Sequence, residues 1–165
     1  MAGRGKTAAA KLEDGQAFRR RRLRDVLFIG VGAACLFVLM ALLTYSDSDP
    51  GWSASGTGGA VSNLGGITGA FLADIFFSLI GSAAYLVPVL LAYRAVSLLL
   101  ADDDRQPVDW QLLGFRSLGL LLLIVAATAL RALNDAGDSG LPQGAGGILG
   151  AAIGAGFDQA FNPVG

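Results

Sequence analysis

The sequence predicts an all-α membrane protein, a helical transmembrane bundle with three spans. Apolar residues make up 53% of the 165-residue chain. Charged residues make up 15%, whereas soluble domains typically contain about 25%. Long uncharged stretches alternate with short polar segments. This composition excludes an ordinary soluble enzyme, and it excludes a disordered chain because disorder requires few apolar residues and many charges.

The first span is predicted at residues 26–45, a stretch without any charged residue. A helix of this length extends about 30 Å, the thickness of the hydrocarbon core of a bilayer. A cleaved signal peptide is the competing interpretation, but its apolar region is usually only about 7–15 residues and ends at small residues. This stretch is longer and ends Leu43-Thr44-Tyr45-Ser46, so we predict a helix that the protein retains.

The second span is predicted at residues 72–97. It contains an uncharged run from Ile75 to Tyr93, with Asp74 and Arg94 bracketing the run. Pro88 lies within this run and predicts a kink, because proline removes one helical hydrogen bond.

The third span is predicted at residues 112–133. Arg116 and Arg131 leave only 14 residues between them, a length that alone would also suit a buried helix of a soluble protein. Both arginines lie where their long side chains reach an interface, and Trp110 precedes the helix as an interfacial anchor. We therefore predict that this helix spans the membrane.

Basic residues lie almost entirely on one side of these spans. Residues 1–25 form a basic tail with eight of the twelve lysines and arginines, including the run Arg19–Arg22 with Arg24. Three more flank or lie in the second connection, whereas residues 46–73 and 132–165 have none. The positive-inside rule therefore predicts a cytoplasmic N-terminus. We interpret the arginine run as an orientation signal that binds anionic lipid, rather than as a DNA-binding segment.

Arg131 is the one basic residue on the outer side. Asp74 begins the second span at the same interface, and consecutive antiparallel helices are often neighbours, so we expect these two side chains to pair. The alternative is that Arg131 extends to the outer headgroups and meets Asp135 one turn later.

The connections predict turns and one close helix contact. Asp47 to Trp52 predicts a solvated turn, with a calcium site at Asp47 and Asp49 as a weak alternative. Asp102 to Arg105 predicts a solvated inner loop. Residues 134–165 predict a periplasmic Gly-rich segment with a short amphipathic or re-entrant helix. Three glycines of this segment are spaced four residues apart, which permits close packing of helices. These glycines are Gly146, Gly150 and Gly154.

Six small residues are further candidates for close helix packing: Gly30, Ala34, Gly66, Ala70, Gly81 and Ala84.

Apart from the calcium alternative at Asp47 and Asp49, the sequence offers no candidate catalytic, cofactor-binding or metal-ligating residue. Histidine is absent and Cys35 is the single cysteine, which excludes histidine chemistry and cysteine metal clusters. Gly5-Lys6-Thr7 resembles the end of a phosphate-binding loop, but the required upstream glycine and strand do not exist. No ionisable residue lies in the middle of a span, which argues against a transporter or pump.

Three segments carry a resemblance to a known family. Residues 46–52 read S-x-x-D-P-x-W, residues 63–74 read N-x-G-G-x-x-G-A-x-x-A-D, and residues 81–88 read G-x-x-A-Y-x-x-P. With these three segments in this order, the chain resembles the N-terminal four-helix membrane domain of the FtsK/SpoIIIE family of bacterial DNA translocases. The match is strong over residues 42–93 and looser elsewhere.

The resemblance implies an inner-membrane anchor and assembly module of a cell-division DNA translocase, which targets the parent protein to the septum and couples division to chromosome segregation. It implies membrane lipids, divisome proteins and further copies of the chain, a hexamer in the parent, as partners. We expect a fragment that is not itself an enzyme and binds no nucleic acid. ATP and Mg would belong to the missing motor domain, and a fourth helix would follow Gly165. The alternative is a small transport or channel subunit of the inner membrane.

The predicted topology is testable with alkaline phosphatase, which is active only outside the cytoplasm. Fusions after Gly58 and after Gly140 should give active enzyme, because both positions are predicted to lie outside the cytoplasm. Gly58 lies between the first and second spans, and Gly140 follows the third span. A fusion after Arg105 should be inactive and serves as the internal control. If only the fusion after Arg105 were active, the orientation would be the opposite of the one predicted.

Overall fold

A computed structural model describes residues 3–100, 110–135 and 139–161, and these residues are all helical or in turns and loops. The elements in chain order are α1 (Gly3–Leu43), α2 (Gly66–Ile80), the 3-10 helix η1 (Gly81–Tyr85), α3 (Leu86–Leu100), α4 (Trp110–Leu133) and α5 (Gly147–Phe161). Three stretches are long and apolar enough to cross a membrane: Arg21–Leu43, Gly66–Ser97 and Gly114–Leu133. The all-α class with three candidate spans is therefore confirmed.

The first helix is continuous through the basic tail and the first predicted span. Its 41 residues extend about 60 Å, roughly twice the thickness of a bilayer core. The side chains of α1 that pack in the interior are Val38, Ala41 and Leu42, all near its C-terminal end. We call this end of the bundle the outer end and the opposite end the inner end, following the predicted orientation.

The chain bends sharply within the second candidate span. In one straight helix, residues 69 and 85 would lie about 24 Å apart. Gly69 nevertheless packs against Ala41, and the Tyr85 hydroxyl donates a hydrogen bond to the carbonyl of Leu42, the next residue of α1. The helices α2 and α3 therefore meet at an angle at η1, and both contact the end of α1.

The bend begins at Gly81, and the kink predicted at Pro88 is therefore wrong in position. Gly81 ends α2 with φ 56°, a conformation that L-residues rarely adopt. A Cβ at this position would also overlap the carbonyl oxygen of Ala145. Pro88 lies in the first turn of α3. Backbone N–H groups in a first turn have no partner within their helix, so the proline costs no helical hydrogen bond there.

The interior is a small cluster at the outer end, where α1, α2, η1 and α3 meet. Phe77 lies at its centre with 1% of its surface exposed. Its ring makes edge-to-face contacts with Tyr45 and Tyr85, at centroid distances of 5.0 and 5.6 Å. Further along α3, the Pro88 carbonyl accepts a hydrogen bond from the Cys35 thiol. The helix α3 therefore runs back along α1.

The helix α4 packs on η1 and α5 rather than along α3. A Cβ on Gly146 or Gly150 would lie only 2.6 or 2.5 Å from the Thr128 carbonyl oxygen. This contact confirms the close approach predicted from the glycine spacing, whereas Gly154 is looser, with Ala132 Cβ at 3.9 Å. Ile153 shares a cavity with α4 side chains between Leu122 and Leu133. The helix α5 also packs on α2 and η1, and its amphipathic or re-entrant placement in the membrane stays a prediction.

The six small residues outside α5 divide into two groups. Ala70 and Ala84 are buried, and Gly81 is in tight contact, as predicted. The prediction is wrong for Gly30 and Ala34, because Gly30 has no neighbour where a Cβ would lie and Ala34 is exposed. The third unpacked residue, Gly66, begins α2 with φ +64° instead of making a helix contact.

Candidate functional site: the outer polar cluster

Buried polar side chains organise the loop that connects α1 to α2. Asp49 and Asn63 lie in this loop, and Asp74 lies in α2; all three are at most 5% exposed. We call these residues, together with Thr44, Tyr45 and Ser53, the outer polar cluster. Each member forms a hydrogen bond that joins two segments distant in sequence.

Asp49 closes the loop on itself. Its carboxylate accepts hydrogen bonds from the backbone N–H groups of Ser62 and Asn63, at 2.7 and 2.8 Å. The prediction of a solvated turn is therefore wrong for Asp49, which is 5% exposed, and right for its neighbour Asp47, which is exposed. Burial of Asp49 is tolerated because the carboxylate is hydrogen-bonded to two backbone donors.

Asn63 ties the loop to the end of α1. Its side-chain amide donates to the carbonyls of Ala41 and Thr44, at 2.8 and 3.2 Å. These are among the carbonyls that the end of a helix leaves without a helical partner. The Asn63 side-chain oxygen accepts the N–H of Gly65 and lies where a Cβ on Gly69 would be. The asparagine therefore terminates α1 and fixes the start of α2.

Thr44 forms a second link at the same place. Its hydroxyl donates to the Met40 carbonyl at 2.7 Å and accepts the Leu64 N–H at 3.0 Å. Leu64, two residues before α2, is thus bonded directly to the residue that follows α1.

Asp74 holds the middle of the loop against α2. Its carboxylate accepts the Ser53 N–H at 2.6 Å, the Ser53 hydroxyl at 2.7 Å and the Tyr45 hydroxyl at 3.4 Å. Gly51 passes so close that a Cβ there would lie 2.6 Å from the Asp74 carboxyl carbon. Burial, followed by the charge of Asp74, raises the pKa of Tyr45 to about 12, so this hydroxyl stays protonated as a donor.

The predicted ion pair between Asp74 and Arg131 is wrong. The oxygens of Asp74 are taken by the loop, whereas the Arg131 guanidinium donates to the Ser82 hydroxyl at 2.7 Å. Ser82 in turn donates its N–H and hydroxyl to the Ala145 carbonyl. Asp135, the alternative partner, accepts the Ala145 N–H at 2.6 Å. Arg131 and Asp135 therefore join α4 to η1 and to the start of α5.

The hydrogen bonds of the outer polar cluster hold the loop between α1 and α2 in place. Within residues 3–100, 110–135 and 139–161, no three acidic, histidine or cysteine residues form a group that could hold a metal ion. The carboxylates of Asp49 and Asp74 accept hydrogen bonds from the loop. The acidic run Asp102–Asp104 lies outside the described residues. What the cluster does is fix the loop, and with it Trp52, whose side chain stays 55% exposed.

The sequence patterns included most of these residues, but they predicted neither the contacts of Asp49 and Asn63 nor the actual partners of Asp74. Asp49, Asn63 and Asp74 all occupy fixed positions in the quoted segments. The available signal was the uncharged surroundings of Asp74 between two apolar stretches. A carboxylate in such surroundings needs donors, and the loop supplies them.

These features define a helical multi-pass membrane domain with a structured outer loop. Residues 20–165 match the family model described as the 4TM region of DNA translocase FtsK/SpoIIIE, and the chain belongs to this family.

Curated relatives agree with the family assignment. The chain is 41% identical over 144 residues to the DNA translocase FtsK of Pseudomonas syringae pv. tomato, covering 86% of this chain and 18% of the relative. It is 39% identical over 114 residues to the DNA translocase FtsK of Vibrio parahaemolyticus, covering 69% and 11% respectively. The chain thus spans less than a fifth of the length of these relatives. No solved structure matches it.

The outer polar cluster predicts unequal effects for two aspartates of one turn. Asp49→Asn replaces an acceptor oxygen by an amide group facing a backbone N–H, so we expect a loss of about 1–3 kcal/mol in the free energy of unfolding. Asp47→Asn is the matched control and should change stability by less than about 0.5 kcal/mol, because Asp47 is exposed. Thermal unfolding of both variants in detergent measures the difference. Equal melting temperatures would refute the role of Asp49.

Proposed function

We propose that this chain is the inner-membrane anchor and assembly module of a division-associated DNA translocase. The family match over residues 20–165 carries the proposal. The relatives are named DNA translocases, so the parent protein is proposed to move DNA by an ATP-driven motor. In the described part of this chain, the three apolar stretches supply a membrane attachment and the tail supplies positive charge on the cytoplasmic side.

The outer loop is the surface that we assign to division partners. Hydrogen bonds fix the backbone on both sides of Trp52: the Gly51 N–H donates to the Ala54 carbonyl, and Ser53 is bonded to Asp74. An exposed aromatic side chain on a fixed backbone loses little conformational entropy on binding, and aromatic residues are enriched at protein interfaces. The proposal thus places a preformed contact site outside the membrane, where other division proteins are accessible.

The proposed partners are membrane lipids, division proteins and further copies of the chain, without nucleic acid. The domain would bring the parent protein to the septum through the outer loop. Division and chromosome segregation would then be coupled by the physical attachment of the motor to this site.

Septal localisation is the test. A fluorescent fusion of residues 1–165, expressed in a dividing bacterium of the related genus Pseudomonas, should be enriched at the septum. Trp52→Ala should reduce this enrichment while leaving membrane insertion unchanged. Phe115→Ala is the matched control, because it removes another exposed aromatic side chain, here from α4, and should stay septal.

Two results would contradict the proposal in different ways. Uniform membrane fluorescence of the unmodified fusion would refute septal targeting by this domain, and a substrate-dependent flux in vesicles would then favour the transport or channel alternative. Septal enrichment that survives Trp52→Ala would keep the anchor role and remove Trp52 from the contact site.

A further inference from the structure

Two arginines converge on a cavity at the inner end of the bundle. The cavity has a volume of about 590 Å³ and lies between α3 and α4. Arg94 lines it from α3, and Arg116 lines it from α4. We call this cavity the inner arginine pocket. It lies far from the Arg131–Ser82 hydrogen bond, which joins the opposite end of α4 to η1.

The pocket exists because the described parts of α3 and α4 are not packed against each other. The helix α4 is held at the outer end by η1 and α5, through Arg131 and the glycines beside Thr128. No comparable packing joins α3 to α4 in the described residues. The space between them is therefore lined by side chains and open to the surroundings.

The charges of the pocket are not balanced by the described part of the protein. Neither Arg94 nor Arg116 forms a hydrogen bond or an ion pair with any residue that the structure describes. Two guanidinium groups that line the same space repel each other, and an anion between them would remove that repulsion. A guanidinium binds phosphate oxygens in a planar, two-pronged geometry.

The remaining walls combine apolar and hydroxyl-bearing side chains. Leu90 and Leu120 supply apolar surface, and Tyr93, Ser97 and Ser117 bring hydroxyl groups. The Ser97 hydroxyl already donates to the Tyr93 carbonyl at 2.7 Å. A free phosphate ion would use only the polar part of these walls. A phospholipid would use both parts, since its phosphate meets the arginines while its acyl chains follow the leucines.

We propose that the inner arginine pocket is a binding site for the phosphodiester headgroup of an anionic phospholipid. Its position supports this ligand, because basic pockets between helices at the cytoplasmic interface suit anionic headgroups. The site is distinct from the diffuse attraction of the basic tail, because here two charges on different helices meet one headgroup. A bound lipid would also fill the gap that α3 and α4 leave.

Lipid retention by the purified chain tests the proposal. Native mass spectrometry from detergent would compare phosphatidylglycerol with phosphatidylethanolamine of the same acyl chains. We expect the wild-type chain to retain the anionic lipid preferentially. Arg94→Gln/Arg116→Gln should weaken this binding about ten-fold or more. Arg19→Gln/Arg22→Gln removes the same number of charges from the tail and should leave the binding of the anionic lipid within about two-fold of wild type.

Each competing explanation predicts a different result. Equal retention of both lipids, or equal losses in the two double variants, would refute a specific site. Displacement of the lipid by millimolar inorganic phosphate would assign the pocket to free phosphate instead. If Asp102→Asn/Asp103→Asn/Asp104→Asn created a lipid preference that the wild type lacks, those carboxylates would be the partners of the arginines. The single variants Arg94→Gln and Arg116→Gln, each weakening binding, would support the proposal even if the double variant failed to fold.

Discussion

The structure depends on the burial of two carboxylates at the outer end, Asp49 and Asp74. A buried carboxylate is costly unless hydrogen bonds replace its hydration. Here the loop between α1 and α2 provides the donors, from Ser53, Ser62 and Asn63 among others. Each carboxylate thereby requires the loop to follow one path. A loop rich in glycine and serine, which would otherwise be a flexible connection, is fixed to the helix ends.

This constraint determines how the helices meet. Because Asn63 bonds to the last carbonyls of α1, α2 starts beside that helix rather than beyond it. Gly81 then turns the chain, and α3 returns along α1 with Phe77 between the segments. The same turn receives Ala145, which links η1 to α4 and α5 through Ser82 and Arg131. Dense packing is concentrated at the outer end, and the inner end is left with the arginine pocket.

The parts of the fold that follow from short-range patterns were predictable. Uncharged length located the span in α1, the placement of Arg116, Arg131 and Trp110 around an apolar stretch located the span in α4, and the spacing of Gly146 and Gly150 located the contact with α4. The errors concern residues whose partners are distant in sequence. Asp49 looked like part of a solvated turn because its donors, backbone N–H groups more than ten residues away, carry no side-chain signature. Arg131 and Asp74 were predicted to pair because they lie at a similar predicted depth in the membrane. That depth does not reveal that the Asp74 carboxylate accepts its hydrogen bonds from the loop. The bend at Gly81 depends on a contact with Ala145. The presence of a proline at position 88 does not indicate this contact, because Ala145 is distant in sequence.

Residue-resolved amide hydrogen exchange, measured by NMR on the full chain in lipid nanodiscs, tests the central claim most directly. If the carboxylates fix the loop, the amides of Ser53, Ser62 and Asn63 exchange slowly, at rates comparable to those inside α2. Gly58 in the same loop, which forms no hydrogen bond through its N–H in the structure, exchanges rapidly and sets the reference rate. Exchange of Ser53, Ser62 and Asn63 at the rate of Gly58 would contradict the account, because the loop would then be flexible and its carboxylates solvated.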